Sequence, residues 1–457
     1  LLETGMRRFK HPQDLLEIIG SGTSIADLHI PVVVNGDLAL FRGLAKAILS
    51  GGVADMDFIE DYTHGFDEYR EAVRGTNWAD ISDAAGVSRL EIEKLGRAMR
   101  ESKSTIVCWA MGLTQHRNSV ATIQEIMNVL LLGGHIGRPG AGVCPVRGHS
   151  NVQGDRTVGI NHNPPSGFLN SIRNTLGIEP PIRPGLDAVN SVIAMNDGKA
   201  NIFLSMGGNF VSAMSDTEAT STAIKQCKLT AQISTKPNRS HLVTGRTALI
   251  LPCLGRSERD LSSKGRQSVS VENSMGVVHS STGSAKPASK ALRSEPAIVA
   301  GIASALEARL SNSGIQWDEF SEDYDLIRDL IESTVPGFES YNDRIKQDAG
   351  FYLPNPPRDG RTFDTDTGRA NFRVHPITCA FAPPGQFIMM TIRSHDQYNT
   401  TVYGLDDRYR GIKDARRVIL MNGDDMEDIG ISQGSMVDIY SHFDGTTRES
   451  KLWRVVQ

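Results

Sequence analysis

The run "VRGHSNVQGDRTVGI", residues 146–160, holds an arginine beside a glycine, a histidine, the amides of Asn151 and Gln153, and an adjacent Asp155–Arg156 pair. It directly follows "LLLGGHIGRPGAGVCP", an apolar helix end running into a glycine-rich turn, which places these polar groups at an interior point. Polar groups gathered inside a protein need partners, because an unpaired one is costly to bury. Three more segments share this composition: "MGLTQHRN" at 111–118, "MGGNFVSAMSD" at 206–216 and "STKPNRS" at 234–240. Glycine lets a ligand approach the backbone, and N–H groups at a helix start favour phosphate. Amide and hydroxyl side chains recognise a polar heterocycle without charge. Together the four segments point to one large polar ligand with several phosphates. There is no Walker motif, and Gly20 and Gly22 lack the third glycine of a dinucleotide fingerprint, so simple NAD or ATP binding has little support.

Other reactive side chains carry weaker signals. The five cysteines, Cys108, Cys144, Cys227, Cys253 and Cys379, lie far apart and form no CxxC pair. They encode neither a zinc ribbon nor a complete iron–sulfur motif and read as free buried thiols. His116, His135, His241 and His279 read as structural or surface histidines. A net charge of −5 gives no electrostatic reason to bind nucleic acid or an acidic membrane. No apolar run approaches the roughly 18 residues of a membrane helix, and "LLETGMRRFK" lacks the regions of a signal peptide. A cytoplasmic location without membrane insertion is expected.

These segments must be positioned by regular elements. The 457 residues suggest two to four domains at about 150 residues each. Short apolar runs alternate with helical patterns. "IPVVV" reads as a strand, followed by the amphipathic helix "LALFRGLAKAILSGG". "SRLEIEKLGRAMRES" opens on a capping box of Ser88 and Glu91. "STIVCWAMG", "ANIFLSMGGNF", "LTAQIS" and "TALILP" read as strands, while "SVATIQEIMNVLLL" and "SDTEATSTAIKQCK", capped by Ser215 or Asp216, read as helices. The alternation implies parallel α/β domains with ligands at the carboxyl ends of strands. Residues 254–290 are polar and serine-rich, read equally as a flexible linker or as an ordered draped segment. A helix returns at "SEPAIVAGIASALEARL". From about Arg361 short strands such as "FIMMTIRS", "RRVILMN" and "GSMVDIYS" suggest a β-rich module.

The order and spacing of "WAMGLTQH", "GGHIGRPGAGVCPVRGHSNVQGD", "SMGGNF", "FDTDTGRANF" and "TIRSHDQYNTTVYG" resemble the molybdopterin-dependent oxidoreductases of the dimethyl sulfoxide reductase superfamily. Within it, "RGHSNVQGDRTVGI" and "STKPNRSHL…ILPCLGRSE" resemble the formate dehydrogenase-like alpha subunits, the YdeP-like group. The resemblance implies Rossmann-like α/β cofactor domains at 1–147 and 148–360, then an incomplete double-psi barrel at 361–457. It implies a bis(molybdopterin guanine dinucleotide) cofactor with molybdenum or tungsten, and a 4Fe–4S cluster whose ligands lie upstream of this chain. No metal-ligating residue is assigned within it. The chain is therefore expected to be part of a longer protein and inactive alone.

By the same resemblance Arg147 matches the arginine next to the metal centre, and His149 stands at a neighbouring position where formate dehydrogenases often carry glutamine. Met111, Gly112 and Gln115 match positions that approach one pterin. Gly207, Gly208, Asn209, Ser234 and Lys236 match positions that hold a guanine dinucleotide, and Arg393, Gln397, Tyr398, Asn399 and Thr400 match the barrel loop that grips the dinucleotides. The implied activity is two-electron redox of a small substrate, with a redox partner or electron-transfer subunit. A non-catalytic homologue that binds the cofactor or a partner, and an α/β enzyme using NAD or a nucleotide sugar, are the competing readings.

Overall fold

A computed structural model describes residues 8–11, 13–147, 151–310, 313–380, 382–392, 404–407 and 410–457. The chain is a mixed α/β protein, built from a helical layer, parallel strand units and a small C-terminal sheet. Its largest core forms around helix α1 (Asp37–Ser50), α2 (Arg89–Glu101) and α3 (Ser119–Leu132). Leu44, Ile92, Ile126, Val129, Leu130 and Leu132 are almost completely removed from solvent there. The capping box of α2 is present: the Ser88 hydroxyl accepts from Glu91 N, and the Glu91 carboxylate accepts from Ser88 N. Gly43 sits within α1 because a Cβ there would come within 2.9 Å of Ile81 and Ile92 side chains. The missing side chain lets these helices cross closely, at a propensity cost of about 1 kcal/mol relative to alanine.

Strand β1 (Ile106–Trp109) pairs in parallel with β2 (Gly142–Pro145), and α3 makes the crossover between them. A second parallel unit orders β3 (Ile202–Met206), β4 (Leu229–Ser234) and β5 (Thr247–Pro252) side by side. Its connecting helix α4 (Thr217–Lys225) is capped by Asp216, whose carboxylate accepts from Ala219 N at 2.9 Å. The central strand, "LTAQIS", is buried along Thr230–Ile233, as a parallel strand covered on both faces should be.

The serine-rich stretch is ordered. Strands β6 (Val269–Glu272) and β7 (Val277–Ser281) form an antiparallel hairpin whose third strand is Phe351–Tyr352. Its turn is closed by the Asn273 side chain, which accepts from Met275 N and Val277 N. Val278 joins Phe338, Tyr341, Ile345 and Phe351 in a separate small core. Alternating Val and Ser in "VSVENSMGVVHSS" is the strand signal, masked at first sight by its serine content. Helix α5 (Glu295–Leu310) follows.

Three sequence expectations differ from the structure. "IPVVV" forms no strand; Val33 N donates to Ala85 O at the end of a helix, and Val33 O accepts from Gly36 N. The described residues of "FIMMTIRS", 387–392, form no strand either. The start of the expected C-terminal module packs on the first core instead. Ala370–Asn371 pair in parallel with Thr63–His64, and Phe372 stacks on Tyr69 at 5.1 Å. An extended run carries no mark of which core will receive it.

Near the C-terminus, β8 (Val418–Leu420) pairs in parallel with β10 (Thr446–Val456), which returns antiparallel to β9 (Met436–Phe443). Asp444 and Gly445, with φ of 48° and 71°, make the tight hairpin turn. Among the described residues no helix is long and apolar enough to cross a membrane.

Candidate functional site

The β1–β2 ladder delivers two of the polar segments to one place. Trp109 pairs with Pro145, and Val146 N donates to Trp109 O at 2.7 Å, so the 111–118 loop and Arg147 leave the same carboxyl end. Met111–Thr114 form one short helical turn there. Met111, Gly112 and Gln115 are exposed, and a Cβ on Gly112 would meet nothing within 4 Å. The Gln115 amide lies 3.7 Å from the Met111 sulfur. Asn118, at the end of this loop, keeps a buried Oδ1 with no hydrogen-bond partner.

Arg147 faces a cavity of about 1080 Å³. Its backbone N–H donates to Ser274 Oγ at 3.0 Å, and its Nε donates to Gln153 Oε1 at 2.8 Å. Ser274 comes from the β6–β7 turn, so the serine-rich segment forms one wall. Buried Glu272 accepts from the Thr157 hydroxyl at 2.6 Å, while its backbone N–H donates to Asn151 Oδ1. Residues of α3, β2 and the 353–373 segment also line the cavity. Three guanidinium groups (Arg147, Arg358 and Arg373), one carboxylate (Glu272) and several neutral hydrogen-bonding groups line it and suit a small polar or anionic molecule. Nearby, burial pushes the Asp155 carboxyl up, against the lowering effects of Arg156 and Arg256.

The second parallel unit builds a separate strand-end platform. Gly207 and Gly208 follow β3 with φ of 66° and 74°, and a Cβ on either would meet nothing within 4 Å. Ser240 ties this turn to the loop after β4: its hydroxyl donates to Asn209 Oδ1 and accepts from Val211 N. Asn238 Nδ2 donates to Gly208 O at 2.7 Å, and Gln232 Nε2 holds Ser240 O. Ser234 Oγ donates to Lys236 O, and Lys236 itself is exposed. His241 Nδ1 lies 3.0 Å from Asn238 N, whereas its buried Nε2 has no partner.

The structure thus brings Arg147 and the Met111 loop to one strand end, and joins Gly208 and Asn209 to Asn238 and Ser240 of the loop that also carries Ser234 and Lys236. Of the described residues expected at a site, Arg147 alone lines the large cavity. His149, Arg393, Gln397, Tyr398, Asn399 and Thr400 lie outside the described residues. Sequence reading named Gln153 only as one amide of its polar run, and did not single out Glu272, Ser274, Asn238 or Ser240. Asn238 and Ser240 are visible in "STKPNRS" as an amide and hydroxyl pair; Glu272 and Ser274 carry no local signal.

Open glycine backbone at strand ends, paired amides and hydroxyls, and the unpartnered Asn118 Oδ1 and His241 Nε2 suit a ligand with phosphates and polar rings. Among the described residues no three His, Cys, Asp or Glu side chains are grouped to hold a metal ion.

Residues 10–236 match the family model Molybdopterin oxidoreductase, and residues 387–453 match the model Molydopterin dinucleotide binding domain. An uncharacterized oxidoreductase of Mycobacterium tuberculosis is 48% identical over 449 residues, covering 97% of this chain and 57% of its own length. Protein YdeP of Escherichia coli is 42% identical over 455 residues, covering 96% and 59%. Formate dehydrogenase H of Escherichia coli is 37% identical over 135 residues, covering 30% and 19%. The chain therefore spans under two thirds of the length of these relatives. In fold it is similar to acetylene hydratase from Pelobacter acetylenicus, with a TM-score of 0.59 at 14% identity over 94% of this chain and 63% of that one.

Proposed function

The chain belongs to the molybdopterin oxidoreductase family, and from that premise we propose that it forms the cofactor cradle of a formate dehydrogenase-like enzyme using bis(molybdopterin guanine dinucleotide). The observation that carries the reading is Arg147, held by Gln153 and Ser274 in the lining of a large cavity beside the Met111 loop. When bound, the molybdenum or tungsten cofactor would supply the two-electron chemistry.

This chain's residues bind and orient. Met111, Gly112 and Gln115 present open backbone and an amide to a pterin. Gly207, Gly208, Asn209, Ser234 and Lys236 hold a guanine dinucleotide through backbone N–H groups, an amide, a hydroxyl and one cation. Arg393, Gln397, Tyr398, Asn399 and Thr400 belong to the same grip on this reading, and His149 neighbours the substrate. Gln153 fixes the plane of the Arg147 guanidinium, which orients a small anionic substrate through parallel N–H donors. Ligands of a 4Fe–4S cluster, and the residue on the metal, belong on this reading to sequence outside residues 1–457. Electrons pass to a redox partner in the cytoplasm.

Metal analysis with pterin fluorescence on the whole protein tests this. Molybdenum or tungsten together with pterin is the expected result. A folded protein carrying neither supports a non-catalytic homologue, and a bound nicotinamide or nucleotide sugar supports the third class.

A further inference from the structure

We propose that Cys108 and Cys144 form a dithiol site that reacts with low-molecular-weight disulfides and closes to a cross-strand disulfide. The two residues are direct partners in the parallel β1–β2 ladder. Their side chains leave the sheet on one face, opposite Val107, Trp109 and Val143, which pack against the main core. Adjacent strands lie about 4.8 Å apart, within the Cα separation of roughly 4.4–6.8 Å that a disulfide spans. The register sets the two Cβ atoms side by side on that face. Burial first, and then Cys108, push the Cys144 thiol up, so it waits as a protonated second thiol. Cys108 is exposed and can be reached by a small molecule.

The remaining cysteines lack this arrangement. Cys227 and Cys253 are buried, and burial pushes the Cys253 thiol up to about 11. Cys379 is exposed, but its sulfur contacts its neighbour's carbonyl oxygen rather than another sulfur. Sequence distance hid the pair: no CxxC spacing is needed when two strands place the thiols side by side.

The chemistry is two successive thiol–disulfide exchanges. Cys108 thiolate attacks one sulfur of the small disulfide, breaking its S–S bond and releasing one small thiolate. Cys144 then loses its proton to solvent and attacks Cys108 Sγ, expelling the second small thiolate. The protein loses two electrons and two protons, and the small disulfide gains both.

Oxidised glutathione added to the 457-residue chain, followed by maleimide labelling in denaturant and peptide mass mapping, tests this. The five labelled thiols should fall to three, with the Cys108 and Cys144 peptides recovered as one linked species. Excess reduced glutathione should restore five. Cys144→Ser should trap glutathione on Cys108, and Cys108→Ser should leave Cys144 unmodified over the same interval. The proposal is overturned if all five thiols of the folded chain still label, if Cys379 takes up glutathione while Cys108 and Cys144 stay free, or if wild type forms the same stable adduct as Cys144→Ser.

Discussion

At the scale of single residues, Arg147 concentrates the account. Its guanidinium offers donors in a fixed plane, which the lysine ammonium cannot reproduce. In the whole protein, Arg147→Lys should keep cofactor content nearly unchanged while turnover falls. Loss of one charge-assisted hydrogen bond costs about 1.5–3 kcal/mol, which corresponds to roughly tenfold to a hundredfold in rate. Metal content measured beside activity checks this, and an unchanged rate at full loading makes Arg147 structural. His135 gives a pH prediction. Burial first, with Arg138 adding and Asp55 opposing, holds its imidazole below the usual value of 6.5. The folded protein therefore keeps His135 neutral while the unfolded chain takes up the proton. The stability this contributes is complete above the unfolded value and is lost as pH falls through the lower folded one. Urea unfolding should show a declining limb from about pH 6.5 downward, flattened in His135→Gln. The bond from Arg147 to Gln153 was legible in kind, because both stand in one polar run. The bond to Ser274 was not, since Ser274 lies 127 residues away with no local pattern linking the two.

At the scale of elements, a buried polar network locks α1, α3 and the 373–375 segment together. Arg42 and Glu125 pair at 2.6 Å, both almost fully buried. The Tyr69 hydroxyl donates to Glu125 at 2.8 Å, and burial, reinforced by this carboxylate, raises the phenol well above its ordinary value. Asn128 Nδ2 donates to Glu125 and to Arg373 O, and Arg42 Nη2 donates to His375 O. Removing one partner of a buried pair leaves an uncompensated charge, so Glu125→Ala should cost about 3–5 kcal/mol in urea unfolding. Replacing both Arg42 and Glu125 by apolar residues should recover part of that loss. The helices here were legible, because apolar periodicity and the Ser88–Glu91 box are local signals. The docking of 363–377 on this core was not, because it is decided by Asn128 and Arg42, far away in sequence. Strand β4 was legible as a buried run, whereas "IPVVV" shares that composition without finding a strand partner.

At the scale of the whole molecule, the same chain presents an arginine-lined cavity at one parallel unit and an open glycine platform at another. Their common ligand is the central claim. Residues 1–457 alone should show neither a 4Fe–4S absorption band nor redox turnover, since no ligand set for the cluster is assigned within them. The α/β class was legible from alternating strands and helices. The shape of the cavity was not, because its walls come from segments as far apart in sequence as Gln124 and Arg373. Amide hydrogen exchange on the whole protein, produced with and without molybdenum cofactor, tests the claim most directly. Loading should slow exchange in 111–118, 207–214 and 234–241 together, while the β9–β10 hairpin stays unchanged. Protection confined to other segments, or none in these three loops on a fully loaded protein, would contradict it.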